Sequence, residues 1–206
     1  MQGPLVRATL EGRKTQTRRP IKPQPDDDIV DVEYDAIADL WLGNTQEDND
    51  LGYTSSWAMR CPMGQAGDRL WVRETWARPG DEEIIYRADK WAADLVAKWK
   101  EDPNCPQVKW TPSIHMPRGA CRLVLPLVSV RVERVQDITE EDAKAEGVEP
   151  VLMRGIGSYP EWMRPTMRGG HQKAFELLWK QIYGDALWDA NPWVWVAEWK
   201  EIEVSK

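Results

Sequence analysis

Lys14 and Thr17 are the first residues in this sequence whose types and spacing could do chemistry. A lysine beside other cations can have its pKa lowered toward neutrality, and a neutral amine can take the proton of a hydroxyl nucleophile. The two residues are three positions apart and are followed directly by Arg18 and Arg19. The spacing therefore indicates a base next to an oxygen nucleophile, although Lys-x-x-Thr alone is a weak pattern.

The same stretch reverses the charge of the chain. Six basic residues and one acid give residues 7–22 a charge of +5, whereas the whole chain of 206 residues carries −7. The basic residues are Arg7, Arg13, Lys14, Arg18, Arg19 and Lys22. The remainder carries −12, and a local reversal of this size predicts a binding site for an anion, most commonly phosphate. The alternative is a solvated basic loop, since charge runs are usually solvated.

The elements around this stretch determine where the candidate residues lie. Residues 4–10 predict a short helix with Pro4 at its start, and Gly12 occupies the left-handed position past its end. Lys14 and Thr17 then fall in the turn that leaves this helix, because Pro20 prevents any helical continuation.

Further along, the hydrophobic pattern predicts strands at residues 69–77, 83–88, 121–135 and 193–204, the last of them central in its sheet. It predicts amphipathic helices at residues 89–99 and 172–183. The expected buried stripe of the second helix consists of Phe175, Leu178, Trp179 and Ile182.

A shorter helix follows the longest predicted strand. Thr139 caps it, Asp142 stands at the capping-box position, and Gly147 lies past its end. Asp142 and Glu146 are one turn apart and therefore share one face of this helix.

Length and composition fit a single domain spanning residues 1–206. Residues 24–58 contain ten acids and no lysine or arginine, which is typical of a surface insertion or lid and does not favour regular structure. Residues 88–112 and 151–170 are two further insertions, of helix and loop type. Cys105, His115 and Cys121 lack the spacing of a metal site, so we expect no metal or other cofactor. Without a signal peptide or an apolar run of membrane length, the expected location is the cytoplasm.

Several blocks of the sequence carry a resemblance to a known family. They are Leu-Glu-Gly-Arg-Lys-Thr-Gln-Thr-Arg-Arg-Pro at residues 10–20, the run from Cys61 to Trp76, Pro-Ser-Ile-His-Met-Pro-Arg at 112–118, Gln-Asp-Ile-Thr-Glu-Glu-Asp-Ala at 136–143 and Asn-Pro-Trp-Val-Trp-Val at 191–196. Together they resemble the ASCH domain family, relatives of the PUA RNA-binding fold, in the form found in tailed bacteriophages and prophages. The resemblance implies an α+β, mainly β fold: a PUA-like, partly open β-barrel with helical decorations.

Some members of that family are amidohydrolases that remove the acetyl group from N4-acetylcytidine. The resemblance implies that Thr17 is the nucleophile and Lys14 the base that activates it. Aligning the family's Leu-Thr-Glu with residues 138–140 places the third catalytic residue, a glutamate, on Glu146. An amide needs a nucleophile, a proton acceptor and a proton donor for the leaving amine, so the set is chemically coherent.

Two other functions stay open. A non-catalytic reader of RNA or of a modified nucleobase needs basic residues for phosphate and aromatic residues for stacking. A ribonuclease is the third, with thinner support because only His115 and His171 are present as histidines. The candidate ligand-binding residues are Arg13, Arg18, Arg19, Arg73, Glu74, Trp76, His115 and Arg118. For Glu74 the alternative is a structural ion pair with Arg73 or Arg19.

Overall fold

The computed structural model describes residues 3–47, 57–80, 83–101, 108–152, 168–200 and 202–204, which form an α+β fold made mostly of strands. The helices of this part are α1 (Gly3–Leu10), α2 (Lys90–Glu101), α3 (Glu140–Ala145), α4 (His171–Tyr183) and α5 (Asp185–Asp189). The strands are β1 (Gln16–Pro20), β2 (Ile29–Asp35), β3 (Leu40–Thr45), β4 (Trp57–Met59), β5 (Arg69–Trp71), β6 (Trp76–Ala77), β7 (Ile85–Tyr86), β8 (Leu123–Arg134), β9 (Val151–Leu152), β10 (Arg168–Gly169), β11 (Trp193–Trp199) and β12 (Glu203–Val204).

A five-stranded antiparallel sheet organises the fold and curls into a half-barrel. Its order is β1-β11-β8-β12, and β5 also pairs with β8. The strand predicted at residues 193–204 is central, as expected, but its pairing shifts at Glu198 and Trp199, and β12 follows as a separate strand. Strand β1 lies at the edge of this sheet, which leaves one side of its backbone open to the site described below.

The two faces of β11 hold two separate cores because side chains alternate along a strand. Val194 and Val196 pack with Phe175 and Trp179 of α4 on one face. Trp195, on the other face, packs with residues of the inserted sheet β2–β4. A continuous apolar run in β11 is therefore explained by burial on both sides.

The acidic insertion is more regular than its composition predicted. Its strands form a three-stranded antiparallel sheet in the order β2-β3-β4. Ile29 and Trp41 are buried against the main sheet, and the rings of Trp41 and Trp195 meet edge to face with centroids 5.7 Å apart. Acidic side chains such as Asp31 and Glu33 are exposed. The net charge misled the prediction because alternate residues of these strands are apolar and supply the packing.

Other elements differ from the sequence predictions in extent. Residues 69–77 form two short strands, β5 and β6, instead of one, and β6 pairs with β7 as predicted for residues 83–88. The loop predicted at residues 151–170 begins and ends in the paired strands β9 and β10. Its interior, residues 153–167, lies outside the described residues. The helix predicted at residues 89–99 is confirmed as α2.

The first helix is confirmed, and Gly12 has the left-handed φ of +70° that ends it. The prediction for Thr17 was wrong: Thr17 lies in β1, and Lys14 makes an isolated bridge to Glu146. Pairing with β11 extends this segment, which local turn signals could not reveal. No helix in the described ranges is long and apolar enough to cross a membrane.

Candidate active site at the edge of strand β1

Lys14, Thr17 and Glu146 line one cleft at the free edge of β1. Its other lining residues come from β1 and from helices α1 and α4: Leu5, Arg18, Arg19, Phe175, Leu178, Trp179, Ile182 and Tyr183. Arg18 and Thr17 are neighbours on a strand and project from opposite sides of it. Both are nevertheless among the residues that line the cleft. The structure thus brings together the three residues that the resemblance implied.

Lys14 is buried, with 2% of its side chain exposed, and its ammonium group has three acceptors. Nζ donates to the Gln16 carbonyl at 2.7 Å, to the Glu146 carbonyl at 3.0 Å and to Glu146 Oε2 at 2.6 Å. Burial lowers the pKa of Lys14 below its ordinary value of 10.5; Glu146 opposes this shift, and the charges of Arg19 and Arg18 add to it. The amine is therefore easier to deprotonate than an ordinary lysine.

Helix α3 positions Glu146 opposite Lys14. The Thr139 side chain accepts a hydrogen bond from the backbone N–H of Asp142 and so caps the start of the helix, as predicted. Glu146 is the C-cap residue directly after the helix, and Gly147 follows with φ of +78°. A Cβ on Gly147 would lie 2.6 Å from Cβ of Lys14, so only glycine lets the helix end approach the lysine this closely.

Arg18 is the centre of a buried ion-pair network that also includes Glu146. Its side chain is fully buried and contacts three carboxylates: Glu133, Asp142 at 3.0 Å and Glu146 Oε1 at 3.4 Å. Burial raises the pKa of Asp142, but the hydrogen bond from Gln16 and the charges of Arg18 and Arg131 outweigh it, so the net shift is downward. Arg18 therefore binds protein carboxylates and does not present its charge to solvent.

The hydroxyl of Thr17 makes no hydrogen bond with any part of the chain that the structure describes. Thr17 and Lys14 are thus not hydrogen-bonded to each other. All three N–H groups of the lysine donate to Gln16 and Glu146 instead. Catalytic hydrogen bonds are often incomplete before a ligand binds, so this geometry leaves Thr17 available as a nucleophile.

The lowered pKa of Lys14 predicts how stability depends on pH. Between the folded pKa and 10.5, the unfolded chain binds more protons at this residue than the folded chain. The contribution of Lys14 to the free energy of unfolding therefore rises with pH across this window and is lost as pH falls through the folded pKa. We expect the difference in urea midpoint between wild type and Lys14→Met to move in favour of wild type from pH 7 to 10. A difference that stays constant, or that moves the other way, contradicts the lowered pKa.

The basic segment is not the open anion-binding surface that its charge predicted. Lys14 and Arg18 are buried in ion pairs, and Arg13 bridges Glu11 at 2.7 Å and Glu149 at 2.9 Å. Arg19 is exposed at the mouth of the cleft, where Nη1 donates to the Tyr183 hydroxyl at 3.2 Å. Apart from Glu11, the carboxylates that pair with these residues lie far away in the chain, so a local count of charge could not detect them.

The remaining candidate ligand residues lie outside the cleft. Glu74 is buried and forms a two-pronged ion pair with Arg122 at 3.0 and 2.9 Å, so the alternative partners Arg73 and Arg19 were wrong. The guanidinium groups of Arg73 and Arg118 stack on Trp71, with carbon-to-centroid distances of 4.5 and 5.3 Å. Trp76 is half-buried in β6, and His115 is exposed in a short 3₁₀ turn, Ser113–His115.

Sequence reasoning missed the wall of the cleft. The stripe of α4 was predicted to be core, and Phe175 and Trp179 are buried, but Ile182 is 40% exposed and all four stripe residues line the cleft. An apolar stripe looks the same in sequence whether it covers a core or a ligand.

Among the described residues, no group of three or more histidines, cysteines or acids is arranged to hold a metal ion. Cys105 lies outside the described residues.

No protein-family model, curated protein or solved structure matches this chain.

Proposed function

We propose that this protein is an amidohydrolase that acts on an N-acylated cytidine such as N4-acetylcytidine. The observation that carries the proposal is the buried Lys14–Glu146 pair, which opens onto a cleft also lined by Thr17. Nucleophile, base and acid are the groups that amide hydrolysis requires. The proposal includes membership of the ASCH family and a PUA-like barrel, which the curled sheet supports only in its general form.

The Lys14–Glu146 pair can supply both the base and the acid. Transfer of one proton across the 2.6 Å contact converts ammonium and carboxylate into amine and carboxylic acid. Burial lowers the pKa of Lys14, which favours release of this proton by the lysine. The proton moves to Oε2, whereas Arg18 contacts the other oxygen, Oε1. A single shared proton therefore prepares Lys14 as base and Glu146 as acid.

In the first half of the reaction, Lys14 exchanges one of its three contacts for the Thr17 hydroxyl and takes its proton. The Thr17 oxygen attacks the acyl carbon, and the bond from that carbon to the exocyclic nitrogen breaks. Glu146 protonates the leaving nitrogen, which releases cytidine and leaves the acyl group on Thr17 as an ester. In the second half, water attacks this ester while Glu146 accepts its proton. The bond from the acyl carbon to the Thr17 oxygen breaks, Lys14 returns its proton to that oxygen, and the carboxylic acid is released.

The wall of the cleft suits a flat ring. Phe175, Trp179 and Tyr183 form a continuous aromatic series, with centroid distances of 5.8 and 4.5 Å between successive rings. Nucleobases stack on such side chains. The cavity volume is only about 30 Å³, room for about one water molecule, so a nucleoside must open the cleft. Arg19 and Tyr183 both line the cleft, and the hydrogen bond between them would have to break for the cleft to open.

Trp179 supplies a hydrogen-bond donor that the fold does not use. Its Nε1 is buried and has no partner among the described residues, which is costly unless a ligand accepts from it. We expect Trp179→Phe to raise KM for the acylated nucleoside about tenfold, because the ring remains while the donor is lost. Trp193→Phe is the matched control, since Nε1 of Trp193 is also buried without a partner but lies outside the cleft. Equal effects of the two variants on KM contradict a ligand contact.

The alternative of a non-catalytic reader is less well supported. It needs basic side chains free to meet phosphates, and three of the six basic residues of the segment, Arg13, Lys14 and Arg18, are ion-paired within the protein. A ribonuclease that uses a pair of histidines is not supported either, because the described residues that line the cleft include neither His115 nor His171.

The direct test is chromatographic measurement of turnover of N4-acetylcytidine by purified protein. The expected result is conversion to cytidine and acetate, with N4-benzoylcytidine as a second acyl probe. Binding of both compounds without any turnover overturns the amidohydrolase and leaves the reader.

A further inference from the structure

A second cavity, of about 340 Å³, lies next to helix α1 and apart from the proposed active site. Leu5 of α1 lines the cleft, whereas other residues of the helix line this cavity together with residues that follow β5 and β7. The lining residues are Gly3, Pro4, Val6, Arg7, Glu74, Thr75, Arg87 and Ala88. The proposed hydrolysis uses none of them.

The two arginines of this cavity have no carboxylate partner in the described part of the chain. Arg7 Nη1 makes one long contact, 3.5 Å, to the carbonyl of Ala88, which places it beside Arg87. Arg87 is exposed, and its backbone N–H donates to the carbonyl of Thr75 at 2.9 Å. Most other basic side chains near the site are ion-paired, so two uncompensated guanidinium groups in one cavity need an explanation.

Among the described residues that line the cavity, the one carboxylate belongs to Glu74 and is ion-paired. Both oxygens of Glu74 accept hydrogen bonds from Arg122, and Arg122 also pairs with Asp89 at 2.7 Å. Burial lowers the pKa of Arg122, but its hydrogen bonds and charge interactions with Glu74 and Asp89 outweigh burial, so the net shift is upward. These three groups sum to −1, and Arg7 and Arg87 bring the local charge to +1.

The same ion pairs hold the cavity walls in place. The Arg122 guanidinium stacks on Tyr86, with its carbon 3.9 Å from the ring centroid. The Tyr86 hydroxyl donates to the carbonyl of Ala120 at 2.8 Å. This frame fixes strand β7 and therefore the backbone of Arg87, which follows it, so the site is organised before any ligand binds.

We propose that this cavity binds a phosphate group, free or esterified to a small molecule. Two guanidinium groups and the Thr75 hydroxyl offer more donors than the two oxygens of a carboxylate can accept, but they match the terminal oxygens of phosphate. The volume left beside the phosphate has room for the organic part of an ester. This site is independent of the proposed hydrolysis and stands whether or not that activity exists.

The test is isothermal titration calorimetry of the full chain at fixed ionic strength, with inorganic phosphate, ribose 5-phosphate and acetate as probes. We expect phosphate-bearing probes to bind and acetate to bind at least about tenfold more weakly. Arg7→Gln and Arg87→Gln should each weaken phosphate binding by about tenfold or more. Arg78→Gln is the control, because Arg78 is an exposed arginine close in sequence that does not line the cavity.

The two phosphate probes distinguish the sources of the group. Tighter binding of ribose 5-phosphate identifies an ester, and equal or weaker binding identifies the free ion. The proposal is overturned if the double variant Arg7→Gln/Arg87→Gln, shown to be folded by circular dichroism, binds phosphate as tightly as wild type. It is also overturned if wild type binds acetate as tightly as phosphate or binds no probe.

Discussion

Replacing Thr17 by alanine is expected to lower hydrolysis of N4-acetylcytidine by roughly a thousandfold or more, because the variant lacks the oxygen that attacks the acyl carbon. Lys14→Ala should have an effect of similar size, since it removes the base. The double variant should be hardly slower than either single variant. Once one member of a catalytic unit is missing, removal of the second lowers the rate little further. The measurement is kcat/KM, with substrate binding followed separately.

Thr15→Ala is the matched control for this experiment. Thr15 is a hydroxyl residue two positions earlier that does not line the cleft, so its variant should keep the wild-type rate. Lys14→Ala leaves the buried Glu146 with only its long Arg18 contact, so its folding must be checked by urea unfolding. Thr17→Ala carries no such cost, and wild-type turnover by this variant alone is enough to reject Thr17 as nucleophile.

Replacing Arg18 by methionine is expected to lower the free energy of unfolding by about 3 to 5 kcal/mol. The guanidinium is fully buried and contacts Glu133, Asp142 and Glu146, so its loss leaves carboxylates in a poorly solvated site. Arg131 and Lys14 still hold these acids, which limits the loss. The measurement is the urea midpoint and its slope at pH 7.

Arg19→Met provides the control at the next position. Arg19 is exposed, and its one side-chain hydrogen bond in the described part of the chain goes to the Tyr183 hydroxyl, so stability should change by no more than about 0.5 kcal/mol. If Arg18→Met does not fold, Arg18→Lys keeps the charge and tests the geometry of the network instead. Equal stability of the Arg18 and Arg19 variants shows that the network contributes nothing to folding.

The local parts of the fold could be predicted because they depend on neighbours in sequence. The cap at Thr139, the end of α1 at Gly12 and the long strand β8 follow from patterns within a few residues. Strand β1 could not be recognised in this way, since its partner β11 lies far along the chain. A segment of mixed polar residues becomes a strand only when a neighbour supplies the pairing.

The candidate site was predictable in its residues but not in its electrostatics. The resemblance indicated Lys14, Thr17 and Glu146 as one set, and spacing alone would have yielded only the first two. Charge counting assigned Arg18 to a ligand, whereas distant carboxylates bind it inside the protein. The sequence also offered the wrong partners for Glu74, Arg73 and Arg19, because the true partner, Arg122, lies 48 residues further along. Such pairings depend on tertiary structure, which a local sum of charges does not contain.

The Lys14–Glu146 bridge joins residues 132 positions apart, and this separation sets when the cleft can form during protein synthesis. At typical elongation rates of about 5 to 20 residues per second, Lys14 leaves the ribosome on the order of ten seconds before its partner. Until β11 follows, β1 has an unpaired backbone on both sides. Its arginines, Arg18 and Arg19, then act as gatekeepers, because charged residues on an unpaired strand discourage association with other nascent chains. The residues that later organise the cleft thus protect the unfinished chain.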